Sequence, residues 1–322
     1  MKLSVVIPTF RRPLLLQKCI DAVAAQDFPQ TDYEVIIVTD GPDAETEKLV
    51  NAYKDIPGFN THFFSLPEKK GPAAARNMGW RKSRGELIIF TDDDCLPSPG
   101  WLMAYWQKYE YKKSRPVAFT GRVIVPVPPC PTDYERNVSH LETANFITAN
   151  CACSTTVLAE TGGFDESFTM AWREDSDFEF RLLKKNIPIH HVPAAVVVHP
   201  VRKARWGVSI WEQKKSMFNP LLYKKHPAMY RERITGTPAS YYAILLLALA
   251  AIAAILTGNK TTAILFFSTW CLLVIMFAIK RLSGNSRSFP HVVEMITTSF
   301  LIPFLSIYWT LYGALKYKVF YL

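Results

Sequence analysis

Leu3-Ser-Val-Val-Ile-Pro8 is a short β-branched run closed by a proline and followed by Thr9. Leu14–Gln26 then spaces its apolar residues at helical intervals, with Leu15, Cys19, Ala22 and Val23 on one face. Glu34-Val-Ile-Ile-Val-Thr39 is a second apolar run, ending at Asp40-Gly41-Pro42, and Ala44–Tyr53 is helical again, with Leu49, Val50 and Tyr53 apolar. Glu86-Leu-Ile-Ile-Phe-Thr91 is a third run, ending at Asp92-Asp93-Asp94. Strands alternating with helices predict an α/β sheet with crossover helices. Strands apolar throughout suit a sheet covered on both faces. Ligands of such sheets gather beyond the carboxyl ends of the strands, where Thr9, Asp40 and Asp92–Asp94 all fall.

The pattern changes after Arg233, where no charged residue occurs until Lys260. The run Ala239–Leu256, a second run Thr261–Ile279 and a third, Met295–Leu315, approach the ~20 residues that span a bilayer core. One such run is compatible with a buried core helix; three in the last 86 residues predict membrane insertion. The third contains Pro303 and Gly313 and either spans or lies at the interface on its Tyr308, Trp309 and Tyr312 side. Lys224, Lys225, Arg231 and Arg233 precede the first run, and Lys280, Arg281 and Arg287 follow the second. The loop between these two runs holds only Lys260. The positive-inside bias therefore places the N-terminal region in the cytoplasm and the chain as a multi-pass protein of the cell inner (plasma) membrane. Three parts are expected: a catalytic domain over 1–201, a basic interfacial segment over 202–236 and a membrane region over 237–322.

Charge supports that division. Of the net +9, residues 1–201 contribute 22 basic and 25 acidic side chains, 202–236 contribute 9 and 2, and 237–322 contribute 6 and 1. A nucleic-acid binder carries its basic face on the folded domain, so nucleic acid is not the expected partner. Anionic membrane lipids or an anionic small substrate are. The six cysteines form no Cys-x-x-Cys pair, which fits a reducing compartment, and Cys151-Ala-Cys153 lacks the spacing of a soft-metal site. Leu3–Pro8 is too short to be the apolar core of a secretion signal.

Three aspartates at a strand end are costly unless solvated or paired with cations. Carboxylate oxygens suit Mg²⁺ and Mn²⁺, and the alternative is a solvated acidic turn. Six pieces, in order, decide between these. They are Ser4-Val-Val-Ile-Pro-Thr-Phe10, Val35-Ile-Ile-Val-Thr-Asp-Gly41, Gly71-Pro-Ala-Ala-Ala-Arg-Asn77, Phe90-Thr-Asp-Asp-Asp94, Gly162-Gly-Phe-Asp165 and Arg173-Glu-Asp-Ser-Asp177 with Arg181. Together they make the first 200 residues resemble a family 2 glycosyltransferase with the nucleotide-sugar-binding GT-A fold, a mixed sheet flanked by helices. The C-terminal transmembrane helices are common in bacterial members.

The resemblance implies a nucleotide-diphosphate sugar as donor, gripped by Pro8, Thr9, Asp40 and Arg76. Thr39 stands where the family usually has a first Asp, so only Asp40 carries over. Arg76 is otherwise a helix-surface salt bridge. In the triplet, Asp92 faces the ribose or a nearby water and Asp94 coordinates the Mg²⁺ or Mn²⁺ that bridges the diphosphate, with Asp93 open to either role. His199, at the end of the apolar run Ala194–Val198, is a third ligand or a histidine packed on the sheet edge. Glu174-Asp175 opens a predicted helix, where carboxylates also favour the helix dipole. The resemblance makes Asp175 the general base, with Glu174 and Trp172 lining the acceptor pocket. Inversion needs a base on the face opposite the departing diphosphate. Asp177 and Arg181, four apart, read as a structural ion pair.

Arg202 and Arg205 lie close after His199 and are candidates to close over the diphosphate or acceptor. Arg202-Lys-Ala-Arg205-Trp206 is only faintly similar to the Gln-x-x-Arg-Trp element of processive synthases, whose Gln is absent. The expected activity is inverting, metal-dependent sugar transfer to a lipid-linked or envelope glycan acceptor at the cytoplasmic membrane face. A processive polysaccharide synthase and a catalytically inactive membrane scaffold are the alternatives.

Overall fold

The computed structural model describes residues 1–112 and 115–321. The chain divides into two units, Met1–Pro126 with Ser139–Val201 and Val127–Val138 with Arg202–Leu322. The first unit is built on one mixed sheet. Its strands are β1 (Leu3–Thr9), β2 (Tyr33–Thr39), β3 (Thr61–Ser65), β4 (Leu87–Thr91), β5 (Leu96–Pro97), β6 (Ala118–Ile124), β7 (Asn150–Ser154) and β8 (Ile189–Val198). Their order is β3-β2-β1-β4-β7-β6-β8-β5. Strands β3, β2, β1 and β4 run parallel. β7 is antiparallel to both neighbours, β8 is parallel to β6, and β5 is antiparallel to β8.

Every residue of β1, β2 and β4 is buried, which is why these three read as unbroken apolar runs. Each Val, Ile or Leu so placed contributes about 1.5–3 kcal/mol relative to exposure. Helices α1 (Pro13–Ala24), α2 (Ala44–Lys54), α3 (Pro72–Lys82), α4 (Trp101–Glu110), α6 (Thr155–Thr161) and α7 (Glu174–Lys184) complete this unit; α5 (Asp133–Ser139) straddles its border with the second. α3 lies against β1 and β2, and its Ala73, Ala74 and Ala75 are buried.

The other half of the sheet is held by polar contacts. Asn150, at the start of β7, is fully buried. Its Nδ2 donates to Arg122 O at 2.9 Å and Ala195 O at 2.8 Å. Its Oδ1 accepts from Trp101 Nε1 and from the Tyr105 hydroxyl, both at 2.8 Å. This one side chain ties β7 to β6, β8 and α4 beside the register shift at Gly121/Arg122.

In the second unit come α8 (Val208–Glu212), α9 (Phe218–Lys225), α10 (Pro227–Arg233), α11 (Ala239–Leu256), α12 (Lys260–Leu282) and α13 (Phe289–Lys316). Among the described residues, α11, α12 and α13 are long and apolar enough to cross a membrane. α11 and α12 pair along their length while Leu246, Ile252, Leu265 and Ile275 face outward. α13 begins six residues before the expected Met295 and continues through Pro303. Its buried face interleaves the small residues Thr298, Ser299, Ser306, Thr310 and Gly313 with Met295, Ile302 and Ile307. That face packs on the 213–225 segment. A Cβ at Gly313 would stand 2.2 Å from Met217 O, so only glycine permits this backbone approach.

Arg281, in the last turn of α12, is tied into the second unit. Its side chain is 8% exposed and ion-paired with Asp133 at 2.7 Å. It also donates to Thr298 Oγ1 at 2.6 Å, Ser299 Oγ at 3.2 Å and Ser209 Oγ at 3.1 Å. Lys280, in the last turn of α12, and Arg287, just after it, are exposed.

Candidate active site

Four strands of the first unit deliver polar side chains to one edge of the sheet: Thr9 from β1, Asp40 after β2, the Asp triplet after β4 and His199 after β8. The three consecutive aspartates do not share a ligand. Asp92 Oδ1 accepts from Arg76 Nη2 at 2.6 Å. Asp93 turns the other way, accepting from Thr9 Oγ1 at 2.7 Å and from Arg12 Nη1 at 3.3 Å. Asp94 Oδ1 lies 3.5 Å from His199 Nε2. Burial first, then repulsion from Asp94 and Asp92, raises the Asp93 pKa to about 6 against the opposing pull of Arg12 and Thr9.

Asp40 works on the backbone beside it. Its carboxylate accepts from the amides of Lys70 at 2.7 Å and Gly71 at 2.9 Å. Gly71 adopts φ +100° and a Cβ there would meet Thr169 O at 2.5 Å, so the turn that starts α3 requires glycine. Asn77, one turn into α3, receives the Phe164 amide at 2.9 Å and donates to Phe164 O at 2.8 Å. The motif around Arg76 and the Gly-Gly-Phe-Asp motif are thus two halves of one contact.

Arg76 stands at the centre. It is 2% exposed, and besides Asp92 it reaches Glu174 Oε1 with Nη1 at 3.3 Å. Burial alone would lower its pKa, but Asp92 and Glu174 outweigh that and raise it, so it is a permanent buried cation. The surface salt-bridge alternative for Arg76 is therefore set aside. Glu174 is buried at the first turn of α7, and its Oε2 has no hydrogen-bond partner. Burial foremost, with repulsion from Asp175, raises the Glu174 pKa against the attraction of Arg76. Asp175 is less enclosed and accepts from the Ser176 amide at 2.6 Å; burial raises its pKa too, against Ser176, Arg173 and Arg76. The chain enters α7 through Arg173 at φ 74°, a left-handed conformation costing a non-glycine residue about 1–3 kcal/mol. The guanidinium of Arg173 lies 4.8 Å from the ring centre of the half-exposed Trp172.

A divalent ion fits the position between β4 and β8. One ligand atom each from Asp94, Cys95 and His199 lies within 4.8 Å of the others, and all three residues are buried. Carboxylate oxygen and imidazole nitrogen suit Mn²⁺ and accept Mg²⁺ through the oxygen. The His199 Nδ1 is buried without a partner, so the ring is not held by a hydrogen bond on that side. Burial first, then Asp92 and Asp94, keeps the Cys95 thiol protonated by raising its pKa well above the ordinary value.

Pro8 lies within β1, one residue before Thr9. Asp177 and Arg181 form the expected i,i+4 ion pair, at 2.8 Å. Cys151 and Cys153 fill the core on β7. Arg202 and Arg205 belong to the second unit and are exposed. Sequence reasoning did not find Arg12, Asn77, Asn150 or Cys95 in these roles. Asn77 was quoted in a motif but given no task, and Asn150 sits in a run of small residues that carries no strand signal.

The family described as Glycosyl transferase family 2 matches residues 4–138. Glycosyltransferase AglE of Haloferax volcanii is 34% identical over 99 residues, 31% of this chain and 32% of that protein. GalNAc(5)-diNAcBac-PP-undecaprenol beta-1,3-glucosyltransferase of Campylobacter jejuni is 37% identical over 108 residues, 33% of this chain and 34% of that protein. The matches thus span about a third of the length of these curated relatives. Mannosyltransferase PcManGT from Pyrobaculum calidifontis, solved with GDP-Man and Mn²⁺, superposes over 98% of this chain and 87% of its own at a TM-score of 0.58 and 20% identity. That likeness extends the shared fold beyond the residues the family matches.

Proposed function

We propose that this chain, whose N-terminal unit is a family 2 glycosyltransferase domain with the GT-A fold, transfers a sugar with inversion from a nucleotide-diphosphate sugar to a lipid-linked or glycan acceptor. The observation that carries the reading is Arg76. It is buried between Asp92 on the donor edge and Glu174 on the helix that bears the candidate base, so one cation fixes both sides of a reaction centre. The Campylobacter relative is named for an undecaprenol-linked acceptor, which supports a lipid-linked class here.

Pro8, Thr9, Asp40 and Arg76 line the donor edge. Asp40 acts there partly through the Lys70–Gly71 backbone it holds. Asp92 and Asp93 keep that edge electrically defined, the first against Arg76 and the second against Thr9 and Arg12. Asp94 and His199 would hold Mg²⁺ or Mn²⁺, which when bound neutralises charge on the departing diphosphate. Asp175 removes the acceptor hydroxyl proton at its carboxylate. Glu174, tied to Arg76, lines the acceptor pocket together with the half-exposed Trp172, which offers an aromatic face to an acceptor sugar ring.

The second unit anchors the enzyme, and the catalytic unit works at the cytoplasmic face of the plasma membrane. Trp206 and Trp211 are 55% and 77% exposed among the basic residues of 202–236, a composition suited to anionic headgroups. The test uses purified full-length protein with nucleotide sugars and lipid-linked acceptors. Product formation that EDTA abolishes and Mn²⁺ restores, with an inverted anomeric centre, is expected. Failure of every donor to bind or turn over would return the inactive-scaffold alternative. Long polymer from a single acceptor would favour the processive one.

A further inference from the structure

The metal position contains a ligand that the proposed chemistry does not use. Cys95 follows Asp94 directly, and its buried Sγ shares the 4.8 Å cluster with Asp94 and His199. Its backbone amide donates to Asp92 O at 3.1 Å, which closes the turn after β4 and holds the residue in place. The neighbouring ring offers the second observation: His199 is over nine-tenths buried, with one nitrogen facing Asp94 and the other unpartnered.

Resting on the metal reading above, we propose that Asp94, Cys95 and His199 form a three-ligand site of mixed oxygen, sulfur and nitrogen that takes thiophilic divalent ions, Zn²⁺ or Cd²⁺, in competition with Mg²⁺ or Mn²⁺. Thiolate favours soft and borderline ions, whereas Mg²⁺ takes oxygen and leaves sulfur alone. Metal–ligand bonds of about 2.0–2.3 Å put tetrahedral ligand atoms about 3.5 Å apart, so side-chain adjustments suffice to gather this cluster. Three protein ligands leave a fourth position for water or a phosphate oxygen. Binding forms the metal–sulfur bond and releases the Cys95 thiol proton to the buffer. A thiophilic ion held this way sits where the donor's diphosphate must be received, and Cys95 thereby sets which ions support or block the enzyme.

The experiment is titration of full-length protein with CdCl₂, read by the ultraviolet thiolate-to-cadmium charge-transfer band, beside titration with MnCl₂ read by electron paramagnetic resonance. Wild type is expected to show the cadmium band and to bind Mn²⁺. Cys95→Ser is expected to lose the band while its Mn²⁺ affinity stays within about threefold of wild type, since oxygen and nitrogen ligands remain. That retained Mn²⁺ binding also reports that the variant is folded. His199→Gln, with Cys95 intact, is expected to weaken cadmium binding at least tenfold, because even outer partners of a ligand are worth ~10–100-fold. A cadmium band in Cys95→Ser equal to wild type overturns the inference while leaving the Mn²⁺ site standing. Absence of both Mn²⁺ and Cd²⁺ binding in wild type overturns the metal reading of the position and this inference with it. If Cys95→Ser loses both ions, the His199→Gln titration decides, and unchanged cadmium affinity there overturns the site.

Discussion

Arg76 Nη2 donates to Asp92 Oδ1 at 2.6 Å, with the arginine 2% exposed and the aspartate 28% exposed. The pair joins an interior cation to the open edge of the sheet, and Glu174 closes it from the other side at 3.3 Å. Removing the cation leaves the buried Glu174 carboxylate and Asp92 without the charge that neutralises them.

Arg76→Met is therefore expected to cost about 3–5 kcal/mol, the range for breaking a buried charge pair from one side. For a domain of this size that corresponds to a fall of roughly 6–20 °C in Tm. Adding Glu174→Gln to Arg76→Met removes one of the stranded charges and is expected to recover part of the loss, a non-additive result. Calorimetry of the four proteins in the cycle measures it. Additive losses would show that the Arg76–Glu174 contact carries no energy.

Asn150→Ala is expected to destabilise by about 3 kcal/mol, since it strands Trp101 Nε1 and takes the side-chain donor from two strand carbonyls, while the Tyr105 hydroxyl keeps only the residue-150 carbonyl at 3.1 Å. The strand that loses its tie at Ala195 ends at Val198, one residue before His199. Mn²⁺ affinity is therefore expected to fall together with stability. Wild-type Mn²⁺ binding in Asn150→Ala would separate the network from the site.

These two residues mark how far the sequence could be read. The runs at Leu3, Glu34 and Glu86 were legible because those strands are buried on both faces, so their central positions are apolar without alternation and the polar residues fall near their ends. The antiparallel β7, Asn-Cys-Ala-Cys-Ser, is equally buried but small and polar, because its stability comes from a saturated asparagine and from neighbours on both sides. The Asp triplet was legible as a cluster with divided tasks, but not the partner each member takes, since those lie 16, 84 and 105 residues away. Arg281 counts by its position toward the positive-inside bias, and only the fold reveals Asp133 as its counter-charge.

Glu34 gives a pH prediction away from the site. It is 1% exposed and receives Ser4 Oγ at 2.6 Å, the Arg84 amide at 2.7 Å and Arg84 Nε at 2.9 Å. Burial would raise its pKa, but these bonds and the Arg84 charge outweigh burial and lower it. A carboxyl depressed in the folded state adds stability above its unfolded value of about 4.3 and loses it as pH falls through the folded value. Glu34→Gln is expected to cost about 1–2 kcal/mol at neutral pH, allowing for solvent screening of the exposed Arg84. The gap from wild type should shrink below about pH 4. Urea unfolding across pH measures it, and a gap that stays constant into acid would show the carboxylate charge to be irrelevant.

Asp175 is the sharpest test of the mechanism. Asp175→Asn keeps the size and the hydrogen bond to the Ser176 amide but removes the proton acceptor. Donor affinity should change little, because the proposed nucleotide edge is Pro8, Thr9, Asp40 and Arg76, apart from Asp175. Single-turnover transfer at saturating donor should fall by the ~10²–10⁴ that general-base catalysis contributes. A pure helix-terminus role predicts otherwise, because asparagine serves a helix start nearly as well and both stability and turnover would survive. The pH profile adds a second readout. A base must be ionised to act, so wild-type turnover should rise with pH through the Asp175 pKa, which burial places above the ordinary aspartate value. In Asp175→Asn that acid limb should disappear along with most of the rate. Glu174→Gln is the companion measurement. It is paired with Arg76 and lines the acceptor pocket in the proposed function, so acceptor KM should rise more than kcat falls. If Glu174→Gln proved to be the dead protein and Asp175→Asn turned over normally, the base would be the buried neighbour. Arg76 would then be the cation that ionises it.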